Sequence, residues 1–352
     1  MRYLNILLIF IPIAIVADFL GWDPTIVFIT SALGMVPLAG LLGEATEELT
    51  LHTGPDVGGL LNATLGNFAE LIISIVAIRA GLLELVKASI TGSILGNILL
   101  ILGLSILLGG LRHGLQTFHQ RRAGLSATMM TLAIIGLAIP AIFSHAIEVQ
   151  EGHQAVEYLS IGVAGVMIVI YVLSLIYSFF SEKEASIAAT EHEVEQRWSV
   201  SVASLILIGS AAFIAWLSEI LVGAVEPVVA SLGVTEFFIG IIVVPLVGNV
   251  AEHLVAVQVA VKNEMDLSLA VSLGSSMQIA LFVAPLLVFV SLLMGNPMDL
   301  VFNQFELAAL GAAVVIAALI SLDGESNWLE GAQLLAVYAI IALAFFFLPI
   351  NQ

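Results

Sequence analysis

The 352-residue chain has no cysteine. That excludes a disulfide framework, a thiolate metal site and thiol catalysis. Charge is nearly as scarce. Asp, Glu, Lys and Arg supply 10% of the residues, where a soluble globular chain carries about 25%. With 60% hydrophobic residues and a mean hydropathy of +1.13, a soluble fold is excluded and a polytopic membrane protein is expected. Bases are the rarest class. Nine Lys and Arg stand against 27 Asp and Glu, a net charge of −18. This excludes nucleic acid and disfavours anionic headgroups as the main partner, and it favours attraction of cations. No Gly-rich phosphate loop is present, so ATP is not the implied driver. The apolar run from Tyr3 to Leu20 lacks a small-x-small cleavage site before Gly21, so it is expected to remain as a first span.

What is present is a series of apolar runs. Breaks at Gly, Pro and charge divide them into about eleven spans: 4–20, 25–50, 57–80, 85–110, 123–146, 155–181, 200–231, 235–261, 266–293, 304–321 and 330–349. The expected class is an all-α membrane protein. If the N-terminus is cytosolic, the inner segments carry Arg2, Arg112, Arg121, Arg122, Lys183, Arg197 and Lys262, and the outer ones only Arg79 and Lys87. That asymmetry predicts N-terminus in and C-terminus out, in a prokaryotic cell membrane. One connection is long and polar. Ser181 to Trp198 holds Glu182, Glu184, Glu191, Glu193 and Glu195, and its helix-forming residues predict a short acidic cytosolic helix.

Two of the runs contain the same interruption. Gly66-Asn67-Phe68-Ala69-Glu70 and Gly248-Asn249-Val250-Ala251-Glu252 each put a carboxylate and a carboxamide inside a membrane span. A charge at the bilayer centre costs about 2.5–3.5 kcal/mol on insertion scales. At the same offset of 182 residues, Ala88, Gly92, Ser93 and Leu99 fall on Ala270, Gly274, Ser275 and Leu281. The similarity therefore runs through two successive spans. The third span corresponds to the eighth, an odd number of crossings later, so the copies point in opposite directions. This predicts a first helix (1–23), a five-helix repeat (24–181), the acidic linker (182–198) and a second, inverted five-helix repeat (199–352). Inverted repeats typify secondary transporters, whose sites lie near the midplane between the repeats.

Asn67 and Glu70, like Asn249 and Glu252, are three apart and can share a helix face. The following spans add Ser93, Asn97, Ser275 and Gln278. Every donor is an oxygen, which suits a hard cation such as Ca²⁺. His253 follows Glu252 and is weighed as a packed interface histidine or a proton relay. Burial and like charge both favour the protonated form of paired carboxyls in general, and a divalent cation reverses both. A site of this kind is neutral with one divalent ion or with two protons, and exchange of one for the other follows. Glu44 and Glu47 at an inner helix end, and Glu219 and Glu226 toward the outer end, are candidates for cation entry and exit.

These motifs resemble the cation/proton exchanger family of the calcium/cation antiporter superfamily. That family carries Gly-Asn-x-x-Glu in each repeat, Glu-His in the second copy as at Glu252-His253, and a Ser and Gln on the next helix as at Ser275 and Gln278. The resemblance implies a Ca²⁺/H⁺ antiporter, not an enzyme, that moves calcium out of the cytosol as protons enter. Glu70 and Glu252 would carry both ions, and Asn67, Asn249, Ser93, Ser275 and Gln278 would shape the site. Gly96-Asn97 stands where the second repeat has Gln278-Ile279, a departure from symmetry. No cofactor is implied, since Ca²⁺ is the transported substrate. Some members resemble homotrimers, so self-association is an expectation of the same kind. The rival readings are a sodium/calcium exchanger of the same superfamily, whose Thr-Ser-x-Pro-Glu variants are absent here, and a passive divalent-cation channel.

Overall fold

The structure, a computed structural model, describes residues 4–185 and 197–348. Most of the acidic connection, residues 186–196, lies outside the described residues. The chain is a multi-pass helical membrane protein. Among the described residues, seven helices are long and apolar enough to cross a bilayer, or eight if one bent pair counts as a span. In chain order the helices are α1 (Phe10–Phe19), α2 (Pro24–Leu65), α3 (Phe68–Arg79), α4 (Leu83–His113), α5 (Gln120–Glu151), α6 (His153–Ala185), α7 (Val200–Gly223), α8 (Val225–Leu232), α9 (Glu236–Gly248), α10 (Val250–Val261), α11 (Met265–Met294), α12 (Gln304–Ile320) and α13 (Trp328–Phe346). The all-helical expectation has one small exception. Strands β1 (Gln116–Thr117) and β2 (Glu325–Ser326) pair antiparallel and tie the α4–α5 connection to the α12–α13 connection.

Three local features differ from a plain reading of apolar runs. Helical structure continues from Pro24 to Leu65, across the expected gap near residues 51–56. The chain nevertheless doubles back there. Thr50 Oγ1 lies 3.3 Å from the carbonyl oxygen of Gly58, whereas eight residues of straight helix span about 12 Å. The expected span 200–231 is two helices, α7 and α8. Pro227 explains the break, because its ring clashes with the carbonyl four residues back, at Gly223, where α7 ends. Finally, π-helical turns occupy Gly96–Ile101 in α4, Ile239–Val243 in α9 and Ile279–Val283 in α11. Pro245 and Pro285 follow the second and third within two residues. A proline supplies no N–H to the preceding turn, and a wider turn accommodates that loss.

Lateral contacts sort into two sets by helix end. At one end, His52 Nε2 meets the Trp198 carbonyl at 2.7 Å, His113 Nε2 meets that of Val261 at 2.8 Å, and His119 pairs with Asp266 at 2.7 Å. At the other end, Arg79 pairs with Glu219 at 3.3 Å, Asn296 Nδ2 donates to the Ile78 carbonyl at 3.0 Å, and Leu300 N donates to Ser160 Oγ at 3.0 Å. The helices named here are thus tied at their ends by polar bonds, and α2 lies chiefly against α7.

Candidate functional site

The two repeated motifs fold alike. α2 ends at Leu65 and α3 begins at Phe68; α9 ends at Gly248 and α10 begins at Val250. Asn67 (φ −99°, ψ 26°) and Asn249 (φ −101°, ψ 5°) occupy the joints in the sparsely allowed bridge region. Each stands at a helix N-cap, yet neither side chain caps its own helix. The carboxamides reach across the molecule instead. Asn249 Nδ2 donates to Ser93 Oγ at 3.1 Å, Asn67 Nδ2 donates to Gln278 Oε1 at 2.7 Å, and Ser275 Oγ donates to Asn67 Oδ1 at 3.4 Å.

The carboxylates also cross over. Glu70 and Glu252 lie in the first turns of α3 and α10, where the positive end of the helix dipole favours an anion. The negative ends of the preceding half-helices meet the same joints and favour a cation. Glu70 rests on Gly248: a β-carbon added there would lie 3.1 Å from Glu70 Cγ and 3.6 Å from its Oε1. Glu252 rests on Gly66, whose added β-carbon would lie 3.6 Å from Glu252 Oε1 and 3.7 Å from Gln278 Oε1. Gly248 therefore makes room for the opposite repeat's carboxylate, while Glu252 meets Gly66 at ordinary contact distance. Asn249 faces Glu70 and Ser275 faces Glu252. Glu70, Asn67, Asn249, Ser93, Asn97 and Ser275 are all buried; Glu252 and Gln278 are half-buried. One oxygen of each carboxyl, Glu70 Oε1 and Glu252 Oε2, is buried without a hydrogen-bond partner.

Asn97 is part of the cluster through an asymmetric pair. Its Nδ2 donates to Ser275 Oγ at 3.1 Å, and its Oδ1 lies 3.2 Å from His253 Nε2. With Asn97 Oδ1 as acceptor, Nε2 of His253 carries the proton. At the 182-residue offset, His253 corresponds to Leu71 and Asn97 to Ile279, both buried. A polar pair on one side of the pseudo-symmetry is an apolar pair on the other. Ser276, by contrast, bonds its own helix at the Ser272 carbonyl.

The four candidate entry and exit acids are not brought to this cluster. Glu44 is half-buried beside Leu4, Asn5 and Pro37, and Glu47 is exposed. Their neighbour Glu48 is buried and accepts from the backbone N–H groups of Arg197 and Trp198 at 3.1–3.3 Å, which fixes the start of α7. Glu219 borders a cavity of about 340 Å³ with Asp18, Trp22 and Trp216, and is paired with Arg79. Glu226 is exposed on α8. Among the described residues no group of three or more His, Asp or Glu side chains is placed to hold a metal ion, so any cation here would take carboxamide, hydroxyl, carbonyl and water oxygens beside the two carboxylates.

One cluster near the site carries little signal in the sequence. Glu306 is buried in the first turn of α12; its Oε1 accepts from Thr91 Oγ1 and its Oε2 from Asn303 N, both at 2.9 Å. Lys87, one turn before Thr91, is buried with its Nζ 2.6 Å from Glu84, 3.4 Å from Asp299 and 3.0 Å from the Val301 carbonyl. That signal is a Lys and a Thr four apart on α4, and Asn303-x-x-Glu306 in the pattern of a capping box.

Comparison with known proteins agrees with the motif. The family model described as sodium/calcium exchanger protein matches residues 24–180 and 202–347. A Ca(2+)/H(+) antiporter of Aphanothece halophytica is 46% identical, over 98% of this chain and 96% of its own. The Ca(2+)/H(+) antiporter ChaA of Bacillus subtilis is 41% identical, over 96% of this chain and 97% of its own. The solved structure of native YfkE superposes with a TM-score of 0.86 at 39% identity, covering 98% of this chain and all of that one. The chain belongs to the sodium/calcium exchanger protein family, and within it to the cation/proton exchangers.

Proposed function

We propose that this chain is a Ca²⁺/H⁺ antiporter that exports calcium from the cytosol by alternating access, with Glu70 and Glu252 occupied by Ca²⁺ and by protons in turn. The observation that carries the reading is the pair of buried, unpartnered oxygens, Glu70 Oε1 and Glu252 Oε2, held across two helix joints. A buried carboxylate without a hydrogen-bond donor is costly. A divalent ion shared by the pair removes that cost, and so do two protons. The empty, doubly charged site resists reorientation within the bilayer, so calcium movement in one direction is tied to proton movement in the other. Asn67, Asn249, Ser93, Ser275, Asn97 and Gln278 hold the carboxylates and complete the oxygen set. His253 acts through Asn97 by fixing its carboxamide. The relatives named Ca(2+)/H(+) antiporters support the same assignment.

Eleven crossings fit the two sets of lateral contacts. Every bonded pair joins helix ends that an alternating path of eleven spans puts on the same side. On that path Arg112, Lys262 and the N-terminus are cytosolic, Arg79 and Lys87 are outside, and the two repeats flank the connection at 182–198. The protein needs no cofactor and catalyses no covalent reaction. Glu44 and Glu47 lie toward the cytosolic mouth, and Glu219 and Glu226 toward the outer one.

The test is reconstitution into vesicles with an imposed pH gradient, recording Ca²⁺, Mn²⁺ and Na⁺ with proton flux. Ca²⁺ movement driven by the proton gradient, absent from Glu70→Gln and Glu252→Gln, supports the reading. Transport driven by a sodium gradient alone, or steady Ca²⁺ current without counter-movement of protons, overturns it.

A further inference from the structure

α4 is held from two sides. On one side it lies unusually close to α9. A β-carbon added to Gly92 would lie 2.0 Å from the Ile241 carbonyl oxygen and 2.7 Å from Pro245 Cγ, and one added to Gly240 would lie 2.8 Å from Ala88 Cβ. This close approach brings Ser93 to Asn249. Another set of contacts ties α4 to the segment that leads into α12. There Lys87 binds Asp299 and the Val301 carbonyl, and Thr91 binds Glu306. The segment is itself anchored, by Leu300 N to Ser160 Oγ and by the Asn303–Glu306 capping box.

We propose that Lys87, Thr91 and Glu306 are positioning residues that fix where α4 stands between α9 and the segment leading into α12, and so set Ser93 and Asn97 at the ion site. Thr91 precedes Ser93 by two residues, about 3 Å along the helix. Loss of the Thr91–Glu306 bond frees α4 to shift relative to α9, and this puts the Ser93–Asn249 bond of 3.1 Å at risk. None of the three residues touches the transported ion. They act through the placement of one hydroxyl and one carboxamide. The repeat mates of Lys87 and Thr91 at the 182-residue offset are Leu269 and Leu273, both buried and apolar, so this restraint belongs to one half of the molecule only.

The inference rests on the Ca²⁺/H⁺ reading for its functional consequence, and its test separates the two. Thr91→Val removes the hydroxyl and keeps the branched shape; Thr91→Ser keeps the hydroxyl. Ca²⁺ binding to purified protein, measured by calorimetry without any proton gradient, is expected to weaken about tenfold in Thr91→Val, the worth of one net hydrogen bond. It is expected to be unchanged within about twofold in Thr91→Ser. In vesicles Thr91→Val should raise the apparent KM for Ca²⁺ with little change in the maximal rate. Lys87→Met should act in the same direction and Lys87→Arg should restore most of the affinity. Thermal melting of each variant separates weakened binding from failure to fold. Ca²⁺ affinity and KM unchanged in a folded Thr91→Val, or loss of maximal rate alone, overturns the positioning role. Absence of proton-coupled flux in the unmodified protein overturns the transport reading and leaves the binding test standing.

Discussion

Gly92 and Gly274 are mates in the internal repeat, and the structure predicts opposite fates for them on substitution by alanine. At Gly92 the new β-carbon would lie 2.0 Å from the Ile241 oxygen, 2.6 Å from its carbon and 2.7 Å from Pro245 Cγ. A carbon–oxygen contact relaxes near 3.3 Å, so α4 and α9 must part by about 1.3 Å. Most of what blocks the methyl is backbone, which cannot rotate away. That displacement carries the Ser93–Asn249 bond of 3.1 Å beyond hydrogen-bonding range. Overpacking costs about 1–3 kcal/mol, and the broken buried bond adds about 1–3 kcal/mol. At Gly274 nothing lies within 4 Å of the added carbon, and alanine is the better helix former by about 1 kcal/mol. Thermal unfolding in detergent and Ca²⁺ flux in vesicles read both variants. Gly92→Ala should melt well below the unmodified protein and lose most transport; Gly274→Ala should match or exceed it. Equal tolerance of the two alanines, or greater damage at Gly274, refutes the claim that α4 and α9 meet at their closest through Gly92.

Two further outcomes are expected. His253→Leu and Asn97→Ile each leave a buried polar group without its partner and should cost about 1–3 kcal/mol, whereas the double variant rebuilds the apolar pair of Leu71 and Ile279 and should be less destabilised than the singles sum to. A double-mutant cycle on melting temperature checks this, and strict additivity counts against the pairing. Glu48→Ala removes the acceptor for the N–H groups of Arg197 and Trp198 and should destabilise the start of α7, while Glu48→Gln keeps an acceptor and should do so less; hydrogen exchange at Trp198 reports the difference.

The parts of this protein that sequence reveals are those that violate a membrane pattern. Glu70 and Glu252 stand out because a carboxylate inside an apolar run is costly, and a single offset of 182 residues brings Ser93 and Ser275 along with them. Pro245 signals a disturbed helix in the same way, and Pro227 accounts for the end of α7. What stays hidden depends on close approach between distant segments. Nothing in the alignment of Gly92 with Gly274 says that one packs against a carbonyl and the other against nothing. Lys87 reads as an outer-loop charge until the structure puts Asp299 and Val301 around it. Nothing in the sequence sets Glu48 apart from its neighbours Glu44 and Glu47, although its carboxylate holds two backbone N–H groups about 150 residues away in sequence. The fold-back at Thr50 and Gly58 is legible by contrast, since Gly54, Pro55 and Asp56 break the apolar run there; only the helical structure that continues through it goes unannounced.

The central claim is that one pair of carboxylates holds Ca²⁺ or protons but not both. The most direct measurement is the number of protons released as Ca²⁺ binds, from titration calorimetry of the purified protein in buffers of different ionisation heat across a range of pH. Binding of a metal to groups that must first deprotonate releases their protons and weakens as pH falls, by about tenfold per pH unit for each proton displaced. The account predicts such release from the unmodified protein and a smaller count from Glu70→Gln and from Glu252→Gln. Calcium binding without proton release at any pH, or release unchanged in both variants, contradicts it.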